Sequence, residues 1–174
     1  MSCAINLTQG FALDCKDSVG GIKSIHLIDW VADGFTVASG EVTAVAATGS
    51  VTSGSTYTYE LPKGVGSMTT TTNVSAENGT VFNQTEVVAR LRKLSTAKRN
   101  ELKLLSQSRV FCIVRDNNDG YYLVGNEYGC DVTAMTSETG TAMGDLNGYN
   151  LTLSAIESES PYKLQASVVT ALGI

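Results

Sequence analysis

Few side chains in this sequence have the chemistry that catalysis or metal binding needs. The chain holds four cysteines and one histidine, which are Cys3, Cys15, Cys112, Cys130 and His26. No two cysteines form a CxxC pair, so a zinc site would need ligands from four separate segments. We therefore predict no metal site and no cofactor. We expect free, mostly buried thiols in a protein made in a reducing cytoplasm.

The segment from Asp116 to Gly120 carries the acidic and amide side chains that are typical of calcium loops. Glu127 follows Asp116 by eleven residues, as the last ligand of an EF-hand would. An EF-hand loop needs glycine at its sixth position, where this sequence has Tyr121. Strand-like residues flank the segment where an EF-hand has helices. We therefore interpret the segment as a turn between two strands.

The usual catalytic motifs are missing from the sequence. It has no GxSxG nucleophile elbow, no GxxxxGK[ST] phosphate loop, and no HExxH motif, which a single histidine cannot complete. A catalytic pair of His26 with a cysteine has no pattern to support it. The sequence therefore predicts no catalytic residue and a protein that is not an enzyme.

The composition indicates a single β-rich domain over residues 1–174. The chain has 20 Thr and 17 Ser among its 174 residues, whereas only 17% of its residues are charged. Its 12 Lys+Arg and 17 Asp+Glu give a net charge of −5, which excludes tight binding of nucleic-acid phosphates. No apolar run reaches the roughly 20 residues that cross a bilayer, and the N-terminus lacks the pattern of a signal peptide. We expect no membrane partner.

Apolar patterning predicts a series of short strands. Residues 22–31 have apolar side chains on both faces, which is typical of a strand covered on both sides. His26 lies within it and is expected to be hydrogen-bonded there. Residues 34–58 read as a meander with a loop near 48–55. Further strands are predicted at 57–61, 109–114, 121–125, 130–135 and 151–156, and the apolar ending 168–174 is expected to dock.

A hairpin with polar arms is predicted over residues 67–85. Asn78-Gly79 lies between two β-favouring arms, and a two-residue turn there needs positive φ at both positions. The arms are rich in threonine, so neither face buries much, and such a hairpin is marginal in isolation. We therefore expect another chain to pair with it. The candidate subunit-interface residues of this arm are Thr69, Thr71, Asn73, Asn78, Gly79 and Phe82.

A helix is predicted over about 95–106, after an ambiguous segment, 86–94, that fits both helical and strand spacing. Leu94, Ala97, Leu102, Leu104 and Leu105 form one broad apolar face of this helix. Lys98 and Glu101 fall inside that face with the spacing of an ion pair. The pair fits an ordinary surface ion pair, or a stripe that meets a neighbouring subunit. We retain both residues as candidate interface residues.

Five segments lie along the chain in a recognisable order and spacing: DCKDSVGGIK at 14–23, FNQT at 82–85, KRNEL at 98–102, YLVGNEYG at 122–129 and GDLNGYNLTL at 144–153. In that order and spacing they resemble tail-tube and ring proteins of crAss-like and related Bacteroidetes phages. The resemblance covers nearly the whole chain.

The resemblance implies a tail-tube-like fold, which is a β-sandwich or half-barrel with one helix against it and a long Thr-rich hairpin. It implies a homo-oligomeric ring or tube in the neck or tail of the virion, assembled in the cytoplasm of the host bacterium. The ring lines a channel through which the genomic DNA passes without specific binding, and it contacts adjacent neck or tail proteins. Six and twelve subunits both fit. The resemblance also favours a strand at 86–94.

Two other function classes compete with the ring protein. The first is a carbohydrate-binding or adhesin-type β-sandwich, whose sugar platform would consist of Trp30, Tyr57, Tyr59, Tyr121 and Tyr122. Paired tyrosines on adjacent strands more often pack across the sheet. The second is a small enzyme, which no motif supports. A large cyclic oligomer would distinguish the ring protein from both.

Overall fold

The computed structural model describes residues 9–46, 51 and 55–174. In chain order its strands are β1 (Ile22–Asp29), β2 (Phe35–Ala38), β3 (Glu41–Val45), β4 (Tyr57–Glu60), β5 (Ser67–Ser75), β6 (Thr80–Arg92), β7 (Val110–Asp116), β8 (Tyr121–Val124), β9 (Asp131–Glu138), β10 (Gly148–Glu157) and β11 (Tyr162–Leu164). Its helices are α1 (Thr96–Leu105) and α2 (Ala166–Leu172). The predicted mainly β class is confirmed, and the two sheets are consistent with a β-sandwich. The loop predicted near 48–55 lies largely outside the described residues.

Seven strands form the larger sheet, sheet A, in the order β2-β3-β11-β8-β7-β1-β4. All neighbours in it are antiparallel except β11 and β3, which run parallel. The meander predicted for residues 34–58 is correct for β2 and β3, which pair as a hairpin. It is wrong for β4, which lies beside β1 at the opposite edge. Strand order there depends on long-range pairing that the local pattern does not contain.

Four antiparallel strands form the smaller sheet, sheet B, in the order β5-β6-β10-β9. Its central pair joins β6 to β10 over ten residue pairs, from Gly148 opposite Arg92 to Glu157 opposite Asn83. Strand β6 runs through residue 92, so the strand expected at 86–94 is confirmed. Strands β5 and β9 are the two edges of this sheet.

A hydrophobic core fills the space between the two sheets and α1. Sheet A contributes Ile25, Leu27, Cys112, Val114 and Val124; sheet B contributes Val87, Ala89, Leu91, Leu151 and Leu153; and α1 contributes Leu102 and Leu105. All of these side chains are buried, and those from the strands are the alternate residues that point to this side of their sheet. The core therefore fixes which face of sheet B points away from the protein.

A second core covers the other face of sheet A, and α2 belongs to it. The apolar ending docks as predicted, since Val168 and Leu172 are buried against Phe111 and Leu164. The prediction of one helix is wrong, because this ending is helical. Two valines favour a strand locally, but docking and the left-handed cap at Gly173, with φ of 73°, stabilise a two-turn helix. Among the described residues no helix has the length and apolar character to cross a membrane.

Helix α1 lies where the sequence predicts a helix. Ser95 is its N-cap, and the Ser95 hydroxyl accepts a hydrogen bond from the backbone N–H of Lys98 at 3.3 Å. Only part of the expected apolar face is buried. Leu102 and Leu105 pack into the core, whereas Leu104 is 62% exposed. The helix lies flat on the sandwich and leaves the rest of that face uncovered.

Strand β1 is covered on both sides, as predicted, and it holds His26 inside sheet A. The two ring nitrogens have hydroxyl partners: Nε2 lies 3.0 Å from Ser24 Oγ and Nδ1 lies 2.9 Å from Thr58 Oγ1. Burial lowers the pKa of His26 below its ordinary value of 6.5, and the nearby cation of Arg115 lowers it further. His26 is therefore a neutral, hydrogen-bonded part of the sheet.

We predict that the free energy of unfolding falls as the pH drops through about 6.5. The unfolded chain binds a proton at His26 more readily than the folded protein, so protonation favours unfolding. Urea unfolding at about pH 7.5 and 5.5 measures the effect. In a His26→Gln variant, whose amide retains hydrogen-bonding groups, the difference between the two pH values should shrink. A variant that keeps the full difference would contradict this assignment.

Candidate assembly surface

One face of sheet B is exposed along its length. On β6 the buried residues Val87, Ala89 and Leu91 alternate with the exposed residues Glu86, Val88 and Arg90. The pairing register places the outward residues of the other three strands on the same face. They include Thr69, Thr71 and Asn73 of β5, Asn150, Thr152 and Ile156 of β10, and Ala134, Thr136 and Glu138 of β9, whereas Ser154 of β10 lies on this face but is buried. Hydroxyl and amide groups dominate this face.

The hairpin of β5 and β6 extends beyond the core. Its strands pair continuously from Ser67 opposite Val88 to Ser75 opposite Thr80. Buried residues of β6 end at Asn83, and beyond it Val74 and Val81 are 70% and 60% exposed. The outer part of the hairpin thus presents the cross-strand pair Val74 and Val81 to solvent, outside both hydrophobic cores.

Polar side chains hold the root of the hairpin in place. The hydroxyls of Thr70 and Thr85 lie 3.0 Å apart, and the Thr72 hydroxyl donates to Asn83 Oδ1 at 2.6 Å. The Asn83 amide in turn donates to the carbonyl of Ser158 at 2.9 Å. Asn83 and Thr85 are buried and hydrogen-bonded, so the hairpin leaves the sandwich as a fixed extension of sheet B.

The hairpin turn differs from the expected two-residue turn. Ser75 pairs with Thr80, so four residues form the loop, and Gly79 has positive φ (62°) whereas Asn78 does not. The prediction of positive φ at both positions is therefore wrong for Asn78. Its backbone N–H donates to the Ser75 hydroxyl at 3.3 Å, which stabilises the wider loop.

A hydrogen-bond network crosses the exposed face at Asn150. Its Oδ1 accepts from Arg90 Nε at 3.0 Å, and its Nδ2 donates to Glu138 Oε1 at 2.9 Å and lies 3.3 Å from Thr136 Oγ1. These contacts join β6, β10 and β9. The charged side chains of Arg90 and Glu138 are therefore hydrogen-bonded within the face.

Within the described part of the chain, no further strand pairs with either edge of sheet B. The edge strands β5 and β9 have nine and eight residues, which corresponds to roughly 30 and 26 Å of edge at about 3.3 Å per residue. Seven of the eight residues of β9 are exposed. Neither strand carries a proline or a covering helix among the described residues, and unprotected edges of this kind pair with other chains.

The structure divides the predicted interface residues into two groups. Thr69, Thr71, Asn73 and Phe82 share the exposed face of sheet B, and Asn78 and Gly79 lie at the hairpin tip. Lys98 and Glu101 lie on α1, near the end of β6 opposite the hairpin tip. Strand β6 has 13 residues, so the tip and α1 are roughly 40 Å apart along it.

The expected ion pair between Lys98 and Glu101 is wrong for the described residues, where the ion pairs that form join Asp119 to Lys23 and Arg115. The Lys98 ammonium instead donates to the backbone carbonyls of Arg92 at 2.5 Å and Lys93 at 3.4 Å. These carbonyls lie where β6 ends and turns toward α1. Both carbonyls are available to the cation because the chain turns there, at Lys93, whose φ is positive (67°). This contact depends on the fold, so the helical spacing of Lys98 and Glu101 does not predict it.

The cysteines of the described residues are separated by their burial. Cys112 and Cys130 are buried free thiols and Cys15 is exposed, while Cys3 lies outside the described residues. Burial raises the pKa of Cys112 to about 12. Within the described ranges, no three His, Cys, Asp or Glu side chains are arranged to hold a metal ion.

The predicted turn at 116–120 is confirmed. Asp116 Oδ1 accepts hydrogen bonds from the backbone N–H groups of Asn118 at 2.9 Å and Gly120 at 2.6 Å. An aspartate that accepts from the backbone two residues later is typical of a turn. The Asp116 carboxylate thus stabilises the turn to which it belongs.

Sequence reasoning missed the contribution of β9 and β10 to this surface. Thr136, Glu138 and Asn150 alternate with inward residues, and this alternation was visible in the sequence. Their strand order was not. Comparison of the chain with protein-family models, with curated proteins and with solved structures found no match. The functional argument therefore depends on the geometry of the surface itself.

We predict that Asn150→Ala lowers the free energy of unfolding by about 1 kcal/mol near pH 7. The alanine removes the amide that accepts from Arg90 and donates to Glu138. Urea unfolding measures the change. Asn73→Ala is the matched control, because the Asn73 amide makes only a 3.5 Å contact to the Thr71 carbonyl. Equal stability of the two variants would contradict the role given to Asn150.

Proposed function

We propose that the protein is a non-enzymatic structural protein of a phage virion. Its copies assemble into a ring or short tube in the neck or tail and surround the channel for the genome. The observation that carries this proposal is that sheet B ends in two long, unprotected edges, β5 and β9, on opposite sides of one exposed polar face. Such edges can join identical copies side by side.

The strand directions of sheet B suit this assembly. The four strands alternate in direction, so β5 and β9 run antiparallel to each other. Consider copies that are related by rotation about an axis roughly parallel to the strands. Equivalent strands then run in the same direction in every copy. The β9 strand of one copy would therefore lie antiparallel to the β5 strand of the next. The joined sheet keeps the antiparallel pattern throughout, which an odd number of strands would not allow.

A closed sheet of six copies would be wide enough to admit DNA. With four strands per copy, six copies contribute about 24 strands. At about 4.8 Å between strands and a tilt of about 40°, the ring is about 48 Å across between backbones and about 10 Å less between side chains. A DNA duplex, about 20 Å wide, passes through this opening. Twelve copies would give an opening about twice as wide.

The exposed face of sheet B has the chemistry expected of a channel lining that lets DNA move. Two carboxylates, Glu86 and Glu138, offset two cations, Arg90 and Arg92, and the remaining outward groups are mostly hydroxyls and amides. No stripe of cations is available to hold phosphates in place. The net charge of −5 also weakens any attraction of the protein to the negatively charged DNA. We assign this face to the lumen, with adjacent neck or tail proteins above and below the ring.

The carbohydrate-binding alternative has weaker support, because its five aromatic residues do not share one platform. Trp30 is tilted against Phe111 and lies under Arg109, whose guanidinium carbon is 5.2 Å from the Trp30 ring centroid. Tyr121 is covered in the same way by Arg115 at 5.4 Å. Tyr57 and Tyr59 lie on another strand beside α1.

We predict that replacing residues 73–82 by Asn-Gly abolishes ring formation and leaves a folded monomer. The replacement joins Thr72 to Asn83 through a two-residue turn, so it keeps the polar root but removes the outer part of the β5 edge. Light scattering and negative-stain imaging measure assembly. Urea unfolding should show a change in stability below about 1 kcal/mol, because the removed side chains pack on no core.

The matched control replaces only the loop residues 76–79 by Asn-Gly, which keeps both arms and should keep the rings. Rings of normal size from the shortened hairpin would overturn the proposal. A wild-type monomer whose thermal unfolding temperature rises with a soluble glycan would instead support the carbohydrate-binding module.

A further inference from the structure

An exposed arm precedes β1. Residues 9–21 have no regular secondary structure and are exposed, and the side chains of Phe11 and Leu13 are fully exposed, at 101% and 102%. Along the arm, Phe11, Leu13 and Cys15 alternate with Ala12, Asp14 and Lys16. This alternation is typical of a strand with one apolar side. The arm therefore has the pattern of a β-strand without a sheet to join.

The root of the arm is fixed on the side of β1 that faces away from β4. The Asn118 side chain accepts from the Val19 N–H and donates to the Val19 carbonyl, both at 2.9 Å. The Asn117 amide donates to the Gly20 carbonyl at 2.7 Å. Both asparagines belong to the turn between β7 and β8, and β7 and β4 flank β1 on opposite sides. The root of the arm is thus held beside the β7–β8 turn, where Ser18 and Val19 also line a pocket with Ser67 and Met68 of β5.

A groove with an open strand edge lies between β4 and α1. Its cavity volume is about 770 Å³, and its apolar lining includes Tyr57, Tyr59, Leu61, Leu91 and Leu102. All residues from 56 to 62 line it, so it follows the edge of the strand and not only one face. β4 is the last strand of sheet A, so this edge is unpaired within the sheet.

The groove offers hydrogen-bonding groups to an added strand. The N–H of Leu61 donates to the Lys23 carbonyl of β1 at 3.2 Å. Because backbone groups alternate in direction along a strand, those of Glu60 and Thr58 point to the open edge. Within the described part of the chain, the buried Thr56 Oγ1 also has no hydrogen-bond partner. An extended segment would pair with this edge and place alternate side chains in the groove.

Charges of both signs lie on both surfaces. The arm carries Asp14, Lys16 and Asp17 after its apolar pair. The groove is lined by Glu60, Glu101 and Lys98, whose ammonium also donates to the Arg92 and Lys93 carbonyls. These groups can form ion pairs across the contact and favour one register of the arm.

We propose that the arm of one copy docks as an added strand on the β4 edge of a second copy, with Phe11 and Leu13 in the groove between β4 and α1. The occupant is a second copy because Phe11 and Leu13 are fully exposed and no residue of the arm lines the groove of its own copy. This contact would add a second interface to the proposed ring. It rests on the proposed function only in requiring that copies of the chain associate. It is separate from the pairing of β5 with β9, so an assembled ring would have two independent contacts.

Photo-cross-linking from Cys15 tests the contact in the full-length chain. In a Cys3→Ser background, a benzophenone maleimide should label Cys15, since Cys112 and Cys130 are buried with raised thiol pKa values. Equal amounts of unlabelled and ¹⁵N-labelled protein are mixed, irradiated and digested. We expect cross-links from the arm to residues 56–62 or α1, about half of them joining a light chain to a heavy chain. Cross-links only within one isotope, or to another surface, would overturn the proposal.

Two variants make the test specific. Phe11→Ser with Leu13→Ser should reduce the yield of these cross-links at least tenfold. The matched control, Met143→Ser, removes an equally exposed apolar side chain from another loop and should leave the yield unchanged. An equal loss in both variants, or in neither, would contradict the role of the arm.

A peptide experiment separates this inference from the proposed function. A fluorescent peptide of residues 9–19 should bind saturably to the full-length Phe11→Ser, Leu13→Ser chain, at least tenfold more tightly than a scrambled peptide. Glu60→Pro, which removes an outward N–H, should weaken that binding at least tenfold. If the peptide binds but the protein forms no rings, the arm contact is supported and the ring is rejected. Normal rings from the double variant, with no peptide binding, would reject the arm contact alone.

Discussion

The packing of sheet B on sheet A by one face only is the constraint on which the rest of the structure depends. Inward side chains such as Val87 and Leu151 bury one face of sheet B, and sheet A is already covered on its far side by the core around Phe111. Among the described residues, no further element meets the outer face of sheet B. Its hydroxyl-rich surface and both edges are therefore left for other molecules, and these are the features that a ring would use.

The polar root gives the hairpin its direction. Burying Asn83 and Thr85 without partners would cost about 1–3 kcal/mol each, so their hydrogen bonds to Thr72, Thr70 and Ser158 select one geometry at the point where the core ends. Hydroxyls and an amide thus replace apolar packing at the boundary between the sandwich and the projecting arms. The hairpin is a continuation of sheet B rather than a loose loop.

Elements with strong local signals could be predicted from the sequence, and those that depend on distant partners could not. The serine cap and apolar spacing gave α1, and alternation gave the hairpin and placed its Thr69 and Phe82 on one face. Helix α2 was missed because Val168 and Val169 favour a strand until Leu172 docks. The position of β9 at the far edge of the surface could not be predicted for the same reason. It depends on the pairing of β10 with β6, whose paired residues are more than fifty positions apart in the sequence.

The asparagine turn also determines where mechanical load enters the protein. Tension along the arm reaches residues 19–21, which Asn117 and Asn118 hold against the β7–β8 turn, and then passes into β1. β1 is hydrogen-bonded on both sides, to β7 and to β4, and a pull along its axis loads these bonds in shear. Bonds loaded in shear must break together. A tether that holds one copy to the next would thus be anchored in strands that resist extraction by sharing the force.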